Sequence, residues 1–276
     1  MKKAYKKKIL ITGKTGLLGS KFFKNYSHKY NIINYPHRIE DSKKIKKWLI
    51  NKSFNFFIHF AAITEKKKTA VHKLKKVNTV ASINLLKILL DSQIKDFNYF
   101  LFISTSHVYG YSNTKIKETK KTSPSNIYGK SKKVVEDFII KNRKNFNYKI
   151  GIARIFNFTG KGQKKGHFIP DISEKINNSK KINNINQLRD FIHIDDVCKA
   201  LDLMIIKKLE KPINISSGKK INLIKIARII NKKKTNKDMI FDKKRGGDIF
   251  GDNKNLRNLG LRRYKSINQI INSYIK

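Results

Sequence analysis

The sequence predicts an α/β fold: a doubly wound parallel sheet with a smaller C-terminal lobe that interleaves with it. Three observations predict it. Short apolar runs alternate with longer amphipathic ones through the first half of the 276 residues. Glycines recur three apart directly after the first apolar run, at Gly13, Gly16 and Gly19. The texture then changes to Gly, Lys and Asn after Thr159, where Gly160, Gly162 and Gly166 crowd together. Parallel strands joined by crossover helices produce the first pattern, and a loop leaving the sheet produces the last.

In chain order, the segments 9–12, 31–35, 54–60, 99–104 and 148–156 read as strands, because each is a short apolar run. Segments 17–26, 45–51, 75–91 and 128–141 read as helices, with apolar residues at three- and four-residue intervals. Further on, 189–196 reads as a strand running into a helix through Leu209, and 221–230 and 267–275 as helices. The expected division is a dinucleotide-binding domain at 1–160, to which 188–212 returns, and a substrate lobe at 161–187 and 213–276. The length suits those two units.

Composition sets the outer limits. Hydrophobic residues at 39% and charged residues at 30% exclude an intrinsically disordered chain. The 63 Lys and Arg against 19 Asp and Glu give a net charge of +44, which brings nucleic acid and anionic membranes into consideration as partners. The lysines run from Lys2 to Lys276 instead of gathering in a tail, which favours solvated faces over a nucleic-acid surface. The same field would attract a substrate carrying a diphosphate. Cys198 is the only cysteine, so no intramolecular disulfide forms and a cytoplasmic location is expected. The basic residues 1–8 lead into only three apolar ones before Thr12, which is a strand and not a signal peptide. No apolar stretch has the length to cross a bilayer, so no membrane role is expected.

The glycine spacing carries the first chemistry. After a strand and at the start of a helix, Gly13 would allow a tight turn, Gly16 a close approach of backbone to a pyrophosphate, and Gly19 close helix–strand packing. Thr15, Leu17 and Leu18 complete this loop, and the helix N-terminus offers N–H groups and partial positive charge to phosphate. A glycine-rich connecting turn is the plainer alternative. At the end of the second strand, where an acidic residue would bind ribose hydroxyls, the chain reads Asn34-Tyr35-Pro36-His37-Arg38. Arg38 suits the extra phosphate of NADP, yet a basic chain places arginines there by composition alone. NAD and NADP both stay open.

Tyr128 and Lys132 fall one helical turn apart in Tyr128-Gly129-Lys130-Ser131-Lys132. A cation beside a phenol favours the phenolate, and bringing a phenol from a pKa of about 10 to neutrality takes roughly 4 kcal/mol. Alone, the pair reads equally as a half-buried tyrosine and a solvated lysine. The strand ending Ser104-Thr105-Ser106-His107 adds hydroxyls at the carboxyl edge of the sheet, where open parallel sheets bind ligands. There Thr105 is placed to hydrogen-bond a substrate oxygen, or more plainly to cap the next turn.

With these residues in view, the chain resembles the extended short-chain dehydrogenase/reductase family, in its NAD-dependent epimerase/dehydratase branch. The carrying motifs are the glycine loop, His59-Phe60-Ala61-Ala62, Asn78, Ser104-Thr105 leading to Val108-Tyr109-Gly110, and Pro124 with the Tyr128–Lys132 motif. Later segments are similar as well: Arg154-Ile155-Phe156-Asn157, the strand from Arg189 to Val197, and Asn214-Ile215-Ser216-Ser217-Gly218. The resemblance implies a Rossmann-type fold with Thr105, Tyr128 and Lys132 as the catalytic set. It implies cofactor contacts at Gly13, Thr15, Gly16, Leu17, Leu18, Gly19, Arg38, Ala61, Ala62, Asn78, Tyr128 and Lys132, with NAD or NADP as cofactor. It also implies substrate contacts at Ser106, Asn157 and Arg245, with the last two at the diphosphate of a nucleotide sugar, and a homodimer as a possible assembly.

One departure bears on the reaction. The 4,6-dehydratases of this branch carry an Asp-Glu pair after the catalytic Thr, for elimination; here Ser106 and His107 stand there. Dehydration is therefore disfavoured against epimerisation or 4-keto reduction. His107 and His167 are auxiliary acid–base candidates, with loop or packing roles as the alternative. No metal site is expected, since His59 and His193 lack partners at ligand spacing. Two rivals from other classes are a basic nucleic-acid-binding protein on this scaffold and an NAD(P)-binding sensor without turnover.

Overall fold

The computed structural model describes residues 5–64, 70–178, 181–183, 185–242 and 244–275; residues 1–4 of the basic start lie outside that set. The first strand, β1 (Lys8–Thr12), sends Ile9 and Ile11 to one face of the sheet and Leu10 to the other, and is followed by α1 (Leu17–Tyr26). Then come β2 (Asn31–Asn34), α2 (Ser42–Leu49), β3 (Phe56–His59) and α3 (Val71–Lys75), which continues through a π-helical stretch at Lys76–Ala81 into α4 (Ser82–Leu90). Next are β4 (Tyr99–Thr105), a 3₁₀ turn at Ser106–Tyr109, α5 (Ile127–Lys141), β5 (Lys149–Ile155) and β6 (Asn157–Thr159). The remainder is α6 (Phe168–Asn178), β7 (Lys181–Ile182), β8 (Leu188–His193), α7 (Ile194–Lys207), β9 (Pro212–Ile215), β10 (Lys220–Asn222), α8 (Leu223–Lys234), β11 (Ile240–Phe241), α9 (Lys254–Asn258) and α10 (Ile267–Ile275).

The large sheet is parallel throughout, in the order β2-β1-β3-β4-β5-β9. Chain order reverses between β1 and β3, so the crevice above their carboxyl ends is the topological switch point. Both faces are covered, which is why the strands are nearly all apolar. Tyr99 and Leu101 of β4 pack with Phe22 of α1 and with Val197 and Leu201 of α7. On the other face Phe100 and Phe102 pack with Leu85 and Leu89 of α4 and with Val135 and Ile139 of α5. A separate core, with Ile172, Ile176, Phe191, Ile226, Ile230 and Ile271, builds the smaller lobe.

Three expectations are corrected in detail. The helix read at 75–91 starts earlier and widens into the π-helical stretch, which brings Asn78 and Thr79 against neighbours on other elements. Within 188–212, helix α7 packs on the large sheet, but strand β8 pairs with β6 and β10 in a three-stranded sheet. Strand β9 takes the place at the edge of the large sheet, although most of it falls in the segment read as lobe. Both strands are short, and periodicity cannot distinguish which sheet receives them. Residues 220–222 form β10, so the helix read at 221–230 begins at Leu223, where Asn222 accepts the N–H of Ile224 as its cap.

Candidate active site

The carboxyl ends of β1, β3, β4 and β5 and the first turns of α1 and α5 enclose the site. At Gly13 the backbone has φ +74°, and a Cβ would lie 2.6 Å from the Ala61 nitrogen. A Cβ on Gly19 would meet the Gly13 carbonyl oxygen at 2.3 Å. These glycines therefore let the first turn of α1 and the loop after β3 close on one another, with room for no side chain. Gly16 caps α1 without a side-chain hydrogen bond, so no side chain of the cap occupies the first-turn N–H groups, the kind of group that can take an anion. Thr15 is exposed, Leu17 is half-buried, and Leu18 points its side chain into the core. From this loop a cleft of about 720 Å³ runs past Asn34–Asp41, Ala61, Ala62 and Val77. Arg38 lines it, with its guanidinium 2.8 Å from Glu40.

The loop after β3 is held from below. Thr12 Oγ1 lies 2.8 Å from His59 Nδ1, and His59 Nε2 lies 3.0 Å from Ser82 Oγ. Burial pushes the His59 imidazole down to about 3, so it stays neutral within this chain of hydrogen bonds. Asn78 accepts the Ile63 N–H and donates to the Ile63 carbonyl, both at 2.8 Å, and reaches Ser131 Oγ at 3.3 Å. It thus clamps the loop that carries Ala61 and Ala62. Among the described residues no group of histidines, cysteines and carboxylates forms a metal centre.

The proposed catalytic residues gather around the tip of β4. Thr105 is buried as its last residue, and its Oγ1 accepts the His107 N–H at 3.3 Å. The first turn of α5 packs on the 3₁₀ turn beside it. A Cβ on Gly129 would meet the His107 carbonyl oxygen at 2.5 Å, and the Tyr128 ring meets the His107 ring edge-on, with centroids 6.3 Å apart. Asn126 caps α5 by accepting the Gly129 N–H at 2.7 Å, and its amide lies 3.2 Å from His107 Nδ1. One turn further along, Lys132 is buried with its Nζ 4.7 Å from the centroid of Phe102 on β4. That nitrogen has no hydrogen-bond partner among the described residues.

Electrostatics differ from the expectation for Tyr128. Burial raises its phenol to about 12 instead of Lys132 lowering it, because Lys132 is itself desolvated, its amine pushed down to about 7 by burial against the opposing charge of Glu136. His107 is pushed down to about 4 by burial, helped by the Arg189 cation. It is neutral at physiological pH.

Other residues lie further out. Ser106 is buried beside Thr105. Asn157 begins β6 and donates to the Asp190 carbonyl at 3.4 Å. Arg245 is on the smaller lobe and pairs with Asp248 at 2.5 Å. His167 precedes α6, where its carbonyl accepts the Asp171 N–H.

Two features escape a linear reading. Arg189 on β8 donates to the carbonyls of Leu188 and Gly247 and to Gln187 Oε1, at 2.6–2.9 Å. These hydrogen-bond acceptors are neutral oxygens, while the Asp248 carboxylate acts on the guanidinium through space, and the effect of Arg189 on His107 places it near the β4 tip. Behind the site, Glu136 on α5 binds Arg154 of β5 in a buried ion pair at 2.6 Å. The sequence signal for the latter was slight: an acidic residue on the apolar face of α5.

A model of the NAD dependent epimerase/dehydratase family matches residues 9–222. The chain belongs to that family. Among curated relatives of this epimerase/dehydratase member is GDP-6-deoxy-D-talose 4-dehydrogenase of Aggregatibacter actinomycetemcomitans, 28% identical over 76% of this chain and 74% of that one. A putative UDP-glucose 4-epimerase of Methanocaldococcus jannaschii is 26% identical over 88% of each chain. Solved structures share the fold: RMD from Pseudomonas aeruginosa complexed with NADPH has a TM-score of 0.86 at 20% identity and covers 97% of both chains. A dTDP-glucose 4,6-dehydratase from Bacillus anthracis in complex with NAD has a TM-score of 0.83 at 18% identity, covering 98% of this chain and 95% of that one. The relatives thus span dehydrogenase, epimerase and dehydratase names.

Proposed function

We propose that this chain binds NAD or NADP and moves hydride to or from a carbon of a nucleotide-linked sugar, as an epimerase or a 4-keto reductase. The observation that carries the proposal is the buried Lys132 amine. It has no hydrogen-bond partner among the described residues and sits one turn from Tyr128, over the strand that ends in Thr105. A buried polar group left unsatisfied costs about 1–3 kcal/mol, which a bound ribose hydroxyl would offset. The glycine cradle fits the same cofactor, since a Cβ at Gly13 or Gly19 would occupy backbone atoms.

When bound, the nicotinamide supplies or accepts a hydride. The first turn of α1 holds the pyrophosphate, and Lys132 holds the nicotinamide ribose. Tyr128 takes the proton of the sugar hydroxyl as that carbon is oxidised, or returns it to the ketone oxygen on reduction. Thr105 donates to the same oxygen and fixes it beside the phenol. A phenol at about 12 is a weak acid and, once ionised, a strong base, so rapid exchange needs the phenolate to be stabilised by hydrogen bonds or charge brought with the bound ligands. Arg189, whose bonds go to neutral oxygens, holds the substrate diphosphate, with Arg245 and Asn157 as the further contacts to it. Ser106 and His107 follow Thr105 where elimination would call for carboxyl groups, which supports reactions without dehydration.

The test is to supply UDP-, GDP- and dTDP-linked hexoses and their 4-keto derivatives with each dinucleotide. Reduced nicotinamide is followed by its absorbance and the sugar product by NMR. Hydride transfer abolished by Tyr128→Phe is expected. Tight dinucleotide binding without turnover on any sugar nucleotide would overturn the enzymatic reading.

A further inference from the structure

The face of α5 that carries Tyr128 and Lys132 carries Glu136 one turn further on, since residues four apart stack on a helix. That carboxylate is buried and lies within a helical turn of a buried ammonium that has no hydrogen-bond partner. An i, i+4 carboxylate and ammonium in a dry site should close on one another, yet Lys132 Nζ is without such a partner among the described residues. The reason is that Glu136 is already saturated. Arg154 grips both of its oxygens, Nε at 3.2 and 3.0 Å and Nη2 at 2.6 Å, and Ser104 Oγ donates to one of them. The remaining Arg154 nitrogen donates to Tyr109 Oη at 2.8 Å and to the Glu118 carbonyl at 3.3 Å, and Tyr109 Oη donates to Asn214 Oδ1 at 2.7 Å. The guanidinium also lies 4.7 Å from the centroid of the Tyr109 ring. Arg154 is thus fixed from three sides, and a planar fork is the group suited to occupying a carboxylate at two points.

We infer that Arg154 is a positioning residue for the cofactor: by occupying Glu136 it keeps the Lys132 amine from being captured in a helical ion pair and leaves it free for the nicotinamide ribose. This rests on the role proposed above for Lys132. It goes beyond that role by giving the buried ion pair behind the site a function in ligand binding. Lysine in place of arginine would hold one oxygen as a point charge and leave the other open to Lys132.

The experiment compares affinity for NADH and NADPH, read by fluorescence titration, with affinity for ADP, which lacks the nicotinamide half. Arg154→Met should weaken the better-bound reduced dinucleotide at least about tenfold while ADP stays within about twofold. Adding Glu136→Met, which removes the captor along with the unpaired charge, should recover most of that loss. Arg154→Lys should give a partial loss, and it carries the test if Arg154→Met does not fold. Unchanged dinucleotide affinity in Arg154→Met or Arg154→Lys, an equal loss for ADP, or a double variant no better than the single one overturns the inference. Lys132→Met separates the two claims. If it leaves dinucleotide affinity unchanged, the role of Lys132 fails and this inference with it; if only the Arg154 variants do so, this inference fails alone.

Discussion

The amine of Lys132 sits 4.7 Å from the centroid of the Phe102 ring, inside the interface between α5 and β4. Burial there depresses its pKa from 10.5 to about 7, so the folded chain releases a proton that the unfolded chain keeps between about pH 7 and pH 10.5. In that window the unfolded state binds more protons, and stability rises with pH. Below it, both states are protonated and the full desolvation cost is present.

Lys132→Met is therefore expected to stabilise the fold, by an amount of the order of several kcal/mol at about pH 6 and progressively less towards about pH 10. Thermal denaturation of both proteins across that range reads it directly. A melting-temperature gain independent of pH would show that the amine is not desolvated as described. The same variant should lose dinucleotide affinity, a trade of function against stability of a familiar kind.

Tyr128→Phe removes one hydroxyl and little else. Turnover is expected to drop by about two to four orders of magnitude, with dinucleotide affinity changed by less than about threefold. Steady-state rates alongside fluorescence titration decide it; a variant with wild-type kcat would exclude Tyr128 as the acid–base group.

Gly19→Ala places a methyl 2.3 Å from the Gly13 carbonyl oxygen, a contact that only backbone movement can relieve. A loss of about 1–3 kcal/mol is expected from overpacking, together with weaker dinucleotide binding, because the displaced turn is the one proposed to present N–H groups to phosphate. Chemical denaturation and titration test the two parts separately.

Arg189→Ala leaves the dinucleotide cleft alone and deletes a cation whose bonds go to neutral oxygens. KM for the sugar nucleotide should rise at least about tenfold with kcat lowered less. If kcat falls and KM is unmoved, Arg189 orders the β4 tip instead of binding substrate.

What the sequence determined by itself is local. Helix α1 occupies the residues its periodicity marked, Leu17–Tyr26, and Gly13 and Gly19 meet steric demands that any backbone of this shape imposes. The order of motifs was likewise enough to identify the family that the match over residues 9–222 establishes. Tertiary structure decided the rest, because partners and burial come from residues distant in the chain. It sent β8 to the small sheet and β9 to the large one, turned Asn78 into a clamp on Ile63, and set Arg154 against Glu136. It also reversed the expected charge relation of Tyr128 and Lys132. Spacing showed that they share a helix face, but the strand packed against that face excludes water, and desolvation outweighs a neighbour's charge when the neighbour is desolvated too.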